Sequence, residues 1–279
     1  MKPEEKDKPI RKIIIGLDAS PHSLAALEVA AILAEKYEAE LVGIYVEDIN
    51  LIRVAALPFV REVDYFSTNV RQVDTSQVER HLHAQARMAQ RALAAIGTEA
   101  RLRWSFRISR GLVSAELLAA ALEADLFILG KVGWSGRRQL GSTAEVIVAQ
   151  SPRQTLIYQP GEHLRRPILV VYDGSGAGDK ALITTSQLRL EDSPVTVVII
   201  AKDSQEARRL EDKVQAWSNE NDIETHVLRL SKLDNSMIAR LTWSERCGVL
   251  VLPAESEAIP AEAVLTLLNK AECAVMLVR

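Results

Sequence analysis

The fold class this sequence predicts is α/β: two tandem units, each with a parallel sheet and helices on both faces. Three observations predict it. Short apolar runs alternate with helix-period segments along the chain, their order repeats from Pro167, and a Pro- and Gly-bearing break at Gln159–Arg166 separates the two passes. Strands separated by helices need crossover connections, and right-handed crossovers build parallel sheets.

Taken in order, Lys12–Leu17 reads as a buried strand. Ser20 suits a helix N-cap with Pro21 at the first helical position, and Leu24, Leu27, Ala31 and Ala34 recur at helical spacing. Leu41–Val46 is a second strand. Gln77–Ile96 is a helix, with Val78, Leu82, Ala86, Ala89, Leu93 and Ile96 on one stripe. Arg101–Ile108 alternates, with Leu102, Trp104, Phe106 and Ile108 opposite Arg101, Arg103, Ser105 and Arg107, as a strand near an edge or with one wet face does. A helix near Ser114–Glu123, the strand Asp125–Leu129, a glycine-rich connection, the helix Ser142–Ala149 stopped by Pro152, and the strand Gln154–Tyr158 complete the first pass.

The second pass runs through strands Ile168–Tyr172, Val195–Ile200, Glu224–Leu230, Val249–Leu252 and Ala274–Val278, with helices at Gln205–Asn219, Asn235–Glu245 and Ala261–Lys270. Asp173-Gly174-Ser175 mirrors Asp18-Ala19-Ser20. One asymmetry stands between the passes. The first carries a long connection from Asp48 to Ser76, with Pro58, Phe59, Tyr65 and Phe66, where the second has a few residues. Long connections in compact domains are functional or irregular, so this one reads as a lid or contact surface, or as an insertion packed by its own aromatics.

Composition narrows the function classes. At 279 residues the chain is long enough for two medium domains or one large one, and the repeat divides it into 1–160 and 161–279. The net charge is −3 and neither half is strongly basic, which argues against nucleic acid as the main partner. No apolar run reaches the roughly 18 residues of a membrane span, and Met1–Pro9 is a charged stretch without a signal-peptide core, read as a loose tail. Cys247 and Cys273, with no CxxC, suit a reducing cytoplasm and argue against a disulfide framework or a zinc site.

The chemistry gathers at Gly130-Lys131-Val132-Gly133 and Gly141-Ser142-Thr143, between the strand ending at Leu129 and an apolar helix. Glycine lets backbone approach an anion, and a helix start offers unpaired N–H groups with partial positive charge. Ser142 with Glu145 also spells a capping box, so the same residues have a purely structural reading. Lys131, Arg137 and Arg138 could offset phosphate charge or be solvated. Asp18, at the end of the first strand, stands where open α/β sheets bind ligands, or caps the following helix. After Leu252 the second half offers Pro253, Glu255 and Glu257, which do not make a phosphate cradle.

Lys12–Ser20, the Asp125–Gly130 strand and the glycine series together resemble the universal stress protein family. The chain is similar to a tandem member whose first domain is of the ATP-binding type and whose second is degenerate. The spacing from Gly133 to Gly141 is two residues shorter than the family's. The resemblance implies five-stranded parallel sheets of the adenine nucleotide alpha hydrolase-like, Rossmann-like kind. It implies ATP, or AMP or ADP, optionally with Mg²⁺. By its matching positions Asp18 meets the adenosine side, the Val46 main chain meets adenine, and Gly130, Lys131, Gly133, Gly141, Ser142 and Thr143 meet ribose and phosphates. With no cradle in the second half, one nucleotide per chain is expected, and the resemblance implies an intrachain pseudo-dimer through the last strands, Thr155–Tyr158 and Ala274–Val278. Further homodimerisation and a protein partner stay open.

Other chemistry is thin. There is no GxxxxGK[ST] loop and no GxSxG elbow. His81 and His83 read as a solvated pair, His22 as a first-turn surface residue, and Trp104, Trp134, Trp217 and Trp243 as core or interface. The expected function is a nucleotide-binding stress-response regulator. Its alternatives are a slow ATPase or phosphotransfer enzyme, disfavoured by the want of a metal-binding carboxylate set beyond Asp18, and a non-nucleotide interaction module using the long connection.

Overall fold

The computed structural model describes residues 10–63, 70–72, 74–133, 140–160, 167–190, 193–254 and 256–279. Its first half runs β1 (Lys12–Gly16), α1 (Pro21–Lys36), β2 (Glu40–Asp48), α2 (Ile49–Ala55), β3 (Arg61–Val63), β4 (Val70–Gln72), α3 (Thr75–Glu99), β5 (Trp104–Gly111), α4 (Val113–Glu123), β6 (Leu126–Gly130), α5 (Ser142–Gln150) and β7 (Gln154–Tyr158). The second runs β8 (Ile168–Tyr172), α6 (Gly176–Leu188), β9 (Val195–Ile200), α7 (Ser204–Asn221), β10 (Thr225–Leu230), α8 (Asn235–Ser244), β11 (Val249–Pro253), α9 (Ala261–Lys270) and β12 (Ala274–Val278).

Two five-stranded parallel arrays share one ten-stranded sheet, in the order β10-β9-β8-β11-β12-β7-β6-β1-β2-β5. The two arrays meet where β7 and β12 pair antiparallel, Ile157 opposite Val275 and Leu156 opposite Met276. The two last strands therefore pair within one chain. In each array the chain steps outward from its first strand, then returns to that strand's other side. In the first half this puts β1 between β2 and β6, with Ile14 opposite both Val42 and Phe127. The reversal opens a crevice beyond the carboxyl ends of β1 and β6, the place where open α/β sheets bind ligands.

Burial on both faces explains why the central strands read as continuous Val/Ile/Leu runs. Ile13, Ile15 and Ile128 pack with α1 and α3, through residues such as Leu27, Leu33 and Leu93. Ile14, Phe127 and Leu129 pack on the other face with Leu117 of α4 and Ile147 of α5. The outermost strand β5 is an edge, as its pattern predicts, but the alternation holds only as far as Phe106: Arg107 is half-buried and Ile108, expected on the apolar face, is exposed.

The long connection holds more regular structure than the sequence shows. It folds as helix α2, capped by Asp48, followed by the antiparallel β3–β4 pair. Tyr65, Phe66, Arg137, Arg138, Trp134 and Met1–Pro9 lie outside the described residues. The tryptophans divide: Trp217 is buried and Trp104 packs at the core margin, but Trp243 is 74% exposed, which corrects the core half of its reading.

Candidate functional site

The crevice at the strand reversal holds a cavity of about 320 Å³, at the lower end of the size range of small-molecule sites. Residues from four directions border it. Asp18 comes from the end of β1, Val46 from the far end of β2, Gly130, Lys131 and Gly133 from the end of β6, and Gly141, Ser142 and Thr143 from the start of α5. Every site residue expected from the sequence thus borders one cavity.

Asp18 sits in an Asx turn. Its Oδ1 accepts from the Ser20 amide at 2.9 Å. It is not the helix cap: Ser20 Oγ caps α1 by accepting from the Ser23 amide at 3.2 Å. Between them Ala19 takes a left-handed φ of 59°, and Gly174 takes the same place in the second half at 75°. Asp18 Oδ2 lies 3.0 Å from where a side chain on Gly133 would begin, so the carboxylate and the glycine face each other.

Val46 gains its character from strand parity. Leu41 donates its amide to Arg103 of the β5 side, and Leu17 donates to the Ile44 carbonyl from the β1 side. In a parallel strand, alternate residues turn both backbone groups to the same neighbour. Val46 therefore turns its N–H and C=O toward β1, two residues beyond Ile44, where β1 pairing has ended. A polar edge is left facing the cavity.

The start of α5 offers the third contact. Gly141 is the N-cap, with no side-chain hydrogen bond, and Ser142 is the first helical residue. The Ser142–Glu145 capping box therefore does not form; the Glu145 amide bonds the Gly141 carbonyl at 2.9 Å as the first helical bond. The α5 start keeps the amide potential that a helix terminus carries when no side chain covers it.

The glycines differ in what demands them. A Cβ at Gly130 would lie 2.9 Å from the His22 carbonyl carbon and 3.0 Å from the Ser23 nitrogen, so this glycine lets β6 pass the first turn of α1. A Cβ at Gly141 would meet nothing closer than the Lys131 carbonyl at 3.7 Å, and its φ is −67°. The fold does not require glycine there: a Cβ would rest in ordinary contact against the Lys131–Gly133 backbone.

Lys131 corrects an expectation. Its side chain is buried and donates from Nζ to the Ala271 carbonyl at 3.0 Å, at the end of α9, so it serves the contact between the halves. Its backbone ties the connection, donating to Tyr158 and accepting from Gly141. His83 is also not merely solvated: its Nδ1 lies 2.7 Å from Oε1 of the buried Glu47, which Arg110 holds from the other side.

Sequence reading missed the roof. Leu51 of α2 and Leu82 and Gln85 of α3 border the cavity, with Asp48 at its lip. Gln85 accepts from the Tyr45 hydroxyl at 3.0 Å, and burial pushes that phenol up to about 12. It stays protonated near neutrality. Beside the site, burial lowers the His22 pKa against the opposing pull of Asp18, and its Nδ1 is buried without a partner among the described residues. No His or Cys is among the described lining residues. The cavity can hold a molecule with a polar ring edge, hydroxyls and an anionic tail; it shows no nucleophile paired with a base.

The second half engages the equivalent carboxylate. Asp173 Oδ1 accepts from the Ser175 amide at 3.1 Å, as Asp18 does from Ser20, but its Oδ2 is taken by the Ser256 hydroxyl. Ser256 stands in the connection between β11 and α9 and is itself buried.

No curated protein matches the sequence. Among solved structures, the chain is similar to a universal stress protein from Archaeoglobus fulgidus, with 16% identity, 95% of each chain covered and a TM-score of 0.71. It is similar to a functionally unknown protein from Pseudomonas aeruginosa at 14% identity, covering 96% of this chain and 92% of that one, with a TM-score of 0.58. A universal stress protein in complex with cAMP aligns over 53% of this chain and 96% of its own, at 21% identity and a TM-score of 0.36. The first two likenesses show the fold. The universal stress protein family model matches residues 9–159, more than half of the sequence. The chain belongs to the universal stress protein family.

Proposed function

We propose that this protein is an adenine-nucleotide-binding regulator of the stress response, with one nucleotide in the first half. In this reading the Val46 main chain meets the adenine edge, Asp18 accepts from the ribose hydroxyls, and Gly130, Gly133 and Gly141 give the phosphates room. The first amides of α5, at Ser142 and Thr143, receive the phosphate charge. Residues 1–160 form the binding domain and 161–279 a structural domain of the same kind. The observation that carries the reading is the α5 start: a helix terminus without a side-chain cap borders the same cavity as a strand-end carboxylate. Hydroxyl acceptor and anion donor stand at one crevice, as a nucleoside phosphate requires.

The described residues hold no cluster of three His, Cys, Asp or Glu. A Mg²⁺ accompanying ATP would therefore be carried mainly by phosphate oxygens, with Asp18 and Asp48 the protein carboxylates bordering the cavity. No helix among the described residues is long and apolar enough to cross a membrane.

Calorimetry and thermal shift with ATP, ADP, AMP and cAMP test the proposal. One nucleotide binds per chain, and at a hundred times Kd it stabilises by about 2.7 kcal/mol. Binding is lost in Asp18→Ala and Gly141→Val and kept in Asp173→Ala. Binding that persists in both first-half variants refutes the placement; no binding of any of the four refutes the function.

A further inference from the structure

We infer that the second half positions the nucleotide loop of the first: the end of α9, through Asn269 and the Ala271 carbonyl, sets where the α5 amides stand. The inference rests on the nucleotide reading above. It comes from the described ends of the connection between β6 and α5. At one end the buried Lys131 ammonium donates to Ala271 at 3.0 Å. At the other, the Leu140 amide donates to Asn269 Oδ1 at 2.8 Å. Both acceptors belong to the other half of the chain, and they lie within one turn of each other at the end of a single helix. Carbonyls at a helix C-terminus carry partial negative charge, which suits the ammonium.

The two ends are also bonded to each other, since the Gly141 amide donates to the Lys131 carbonyl at 3.0 Å. Leu140 directly precedes the N-cap of α5, and its side chain is buried. A displacement at Leu140 is therefore passed to the amides of Ser142 and Thr143 with little loss. Charge-assisted hydrogen bonds to phosphate depend steeply on donor position. Asn269 touches no part of the cavity, so it is a positioning residue. Its Nδ2 bonds back to the Leu265 carbonyl, which holds the amide group in place.

By reciprocity, whatever α9 does for the ligand, the ligand does for α9. The test measures ADP and ATP affinity by calorimetry in the full chain and two variants. Asn269→Ala removes the acceptor and weakens binding about three- to tenfold, the worth of one hydrogen bond, while the melting temperature without ligand barely moves. Asn269→Asp keeps an oxygen there and restores most of the affinity, which a general structural role would not predict. In the unmodified chain, nucleotide slows hydrogen exchange at Leu140 and at Ala271–Cys273. This second readout decides the matter if Asn269→Ala fails to fold. Wild-type affinity in Asn269→Ala, or no ligand-dependent protection of α9, overturns the inference and leaves the nucleotide reading standing. Failure of the unmodified chain to bind nucleotide overturns both.

Discussion

Two single-methyl substitutions, Gly130→Ala and Gly141→Ala, should separate folding from binding. At Gly130 the new carbon would sit 2.9 Å from the His22 carbonyl carbon and 3.0 Å from the Ser23 nitrogen. Both are backbone atoms in the first turn of α1, so neither can swing aside. Overpacking of this kind costs about 1–3 kcal/mol, and the lower entropy of the unfolded alanine chain returns about 0.4–1 kcal/mol. The net loss is about 1–2 kcal/mol, a fall of roughly 2–8 °C in melting temperature for a unit of this size. At Gly141 the nearest atom is 3.7 Å away and φ is −67°, so alanine fits without strain. The entropy gain of about 0.4–1 kcal/mol there is offset by alanine's poorer performance as an N-cap, and stability stays within about 0.5 kcal/mol. The methyl nevertheless stands against the Lys131–Gly133 backbone at the wall of the cavity, where the nucleotide reading puts the phosphates. Losing one charge-assisted phosphate contact costs about 1.5–3 kcal/mol, or roughly 10- to 150-fold in affinity. Thermal unfolding and nucleotide calorimetry on both variants give the answer. Unchanged affinity in Gly141→Ala would refute the phosphate role of the α5 start, and unchanged stability in Gly130→Ala would refute the close-packing account of that glycine.

Three further outcomes are expected. Ala19→Gly relieves a left-handed φ of 59°; the relief of about 1–2 kcal/mol is offset by the glycine entropy cost of about 0.4–1 kcal/mol and by the loss of a buried methyl worth about 0.8 kcal/mol, so the melting temperature stays nearly unchanged, and a fall of more than about 4 °C would show that Ala19 is not strained. Gly97→Ala destabilises by up to about 2 kcal/mol despite alanine's helix preference of about 1 kcal/mol, because the methyl would lie 2.4 Å from Trp104 Cδ1; urea unfolding measures it. Burial holds His22 below its ordinary 6.5, so it stays neutral in the fold where the unfolded chain takes a proton. Its contribution to stability is complete above about pH 6.5 and is lost as pH falls below that. Melting temperature should climb from about pH 5 to pH 7, less steeply in His22→Gln, and equal slopes would contradict the assignment.

The parts of the fold legible in the sequence are those where burial leaves one composition possible. Ile13–Ile15 and Leu126–Leu129 are enclosed on both faces, and only unbroken apolar runs fit there. Asp18 and Asp173 could be matched because each follows a strand and precedes a helix start. Helix α2 was not legible: Leu51, Val54 and Leu57 are all largely exposed, so they mark no buried stripe. The direction of Lys131 was not legible either, since its acceptor lies far along the chain at Ala271. Ser-x-x-Glu describes a capping box whether the cap falls on the serine or, as here, on the preceding glycine. The Ser256 hydroxyl on Asp173, like the His83–Glu47 pair, depends on tertiary placement that no local pattern encodes.

The antiparallel join of β7 and β12 has a consequence for how such a chain diverges. Two separate identical subunits meeting along this join would have to change in step, because one gene writes both. Fused in a single polypeptide, the copies are released from that symmetry. One can keep a crevice bordered by Asp18 while the other ties its matching Asp173 to Ser256 and bonds its neighbour's Lys131 and Leu140 through the end of its last helix. The join also uses up the edge through which a second molecule would have added, so any larger assembly must be built from another surface.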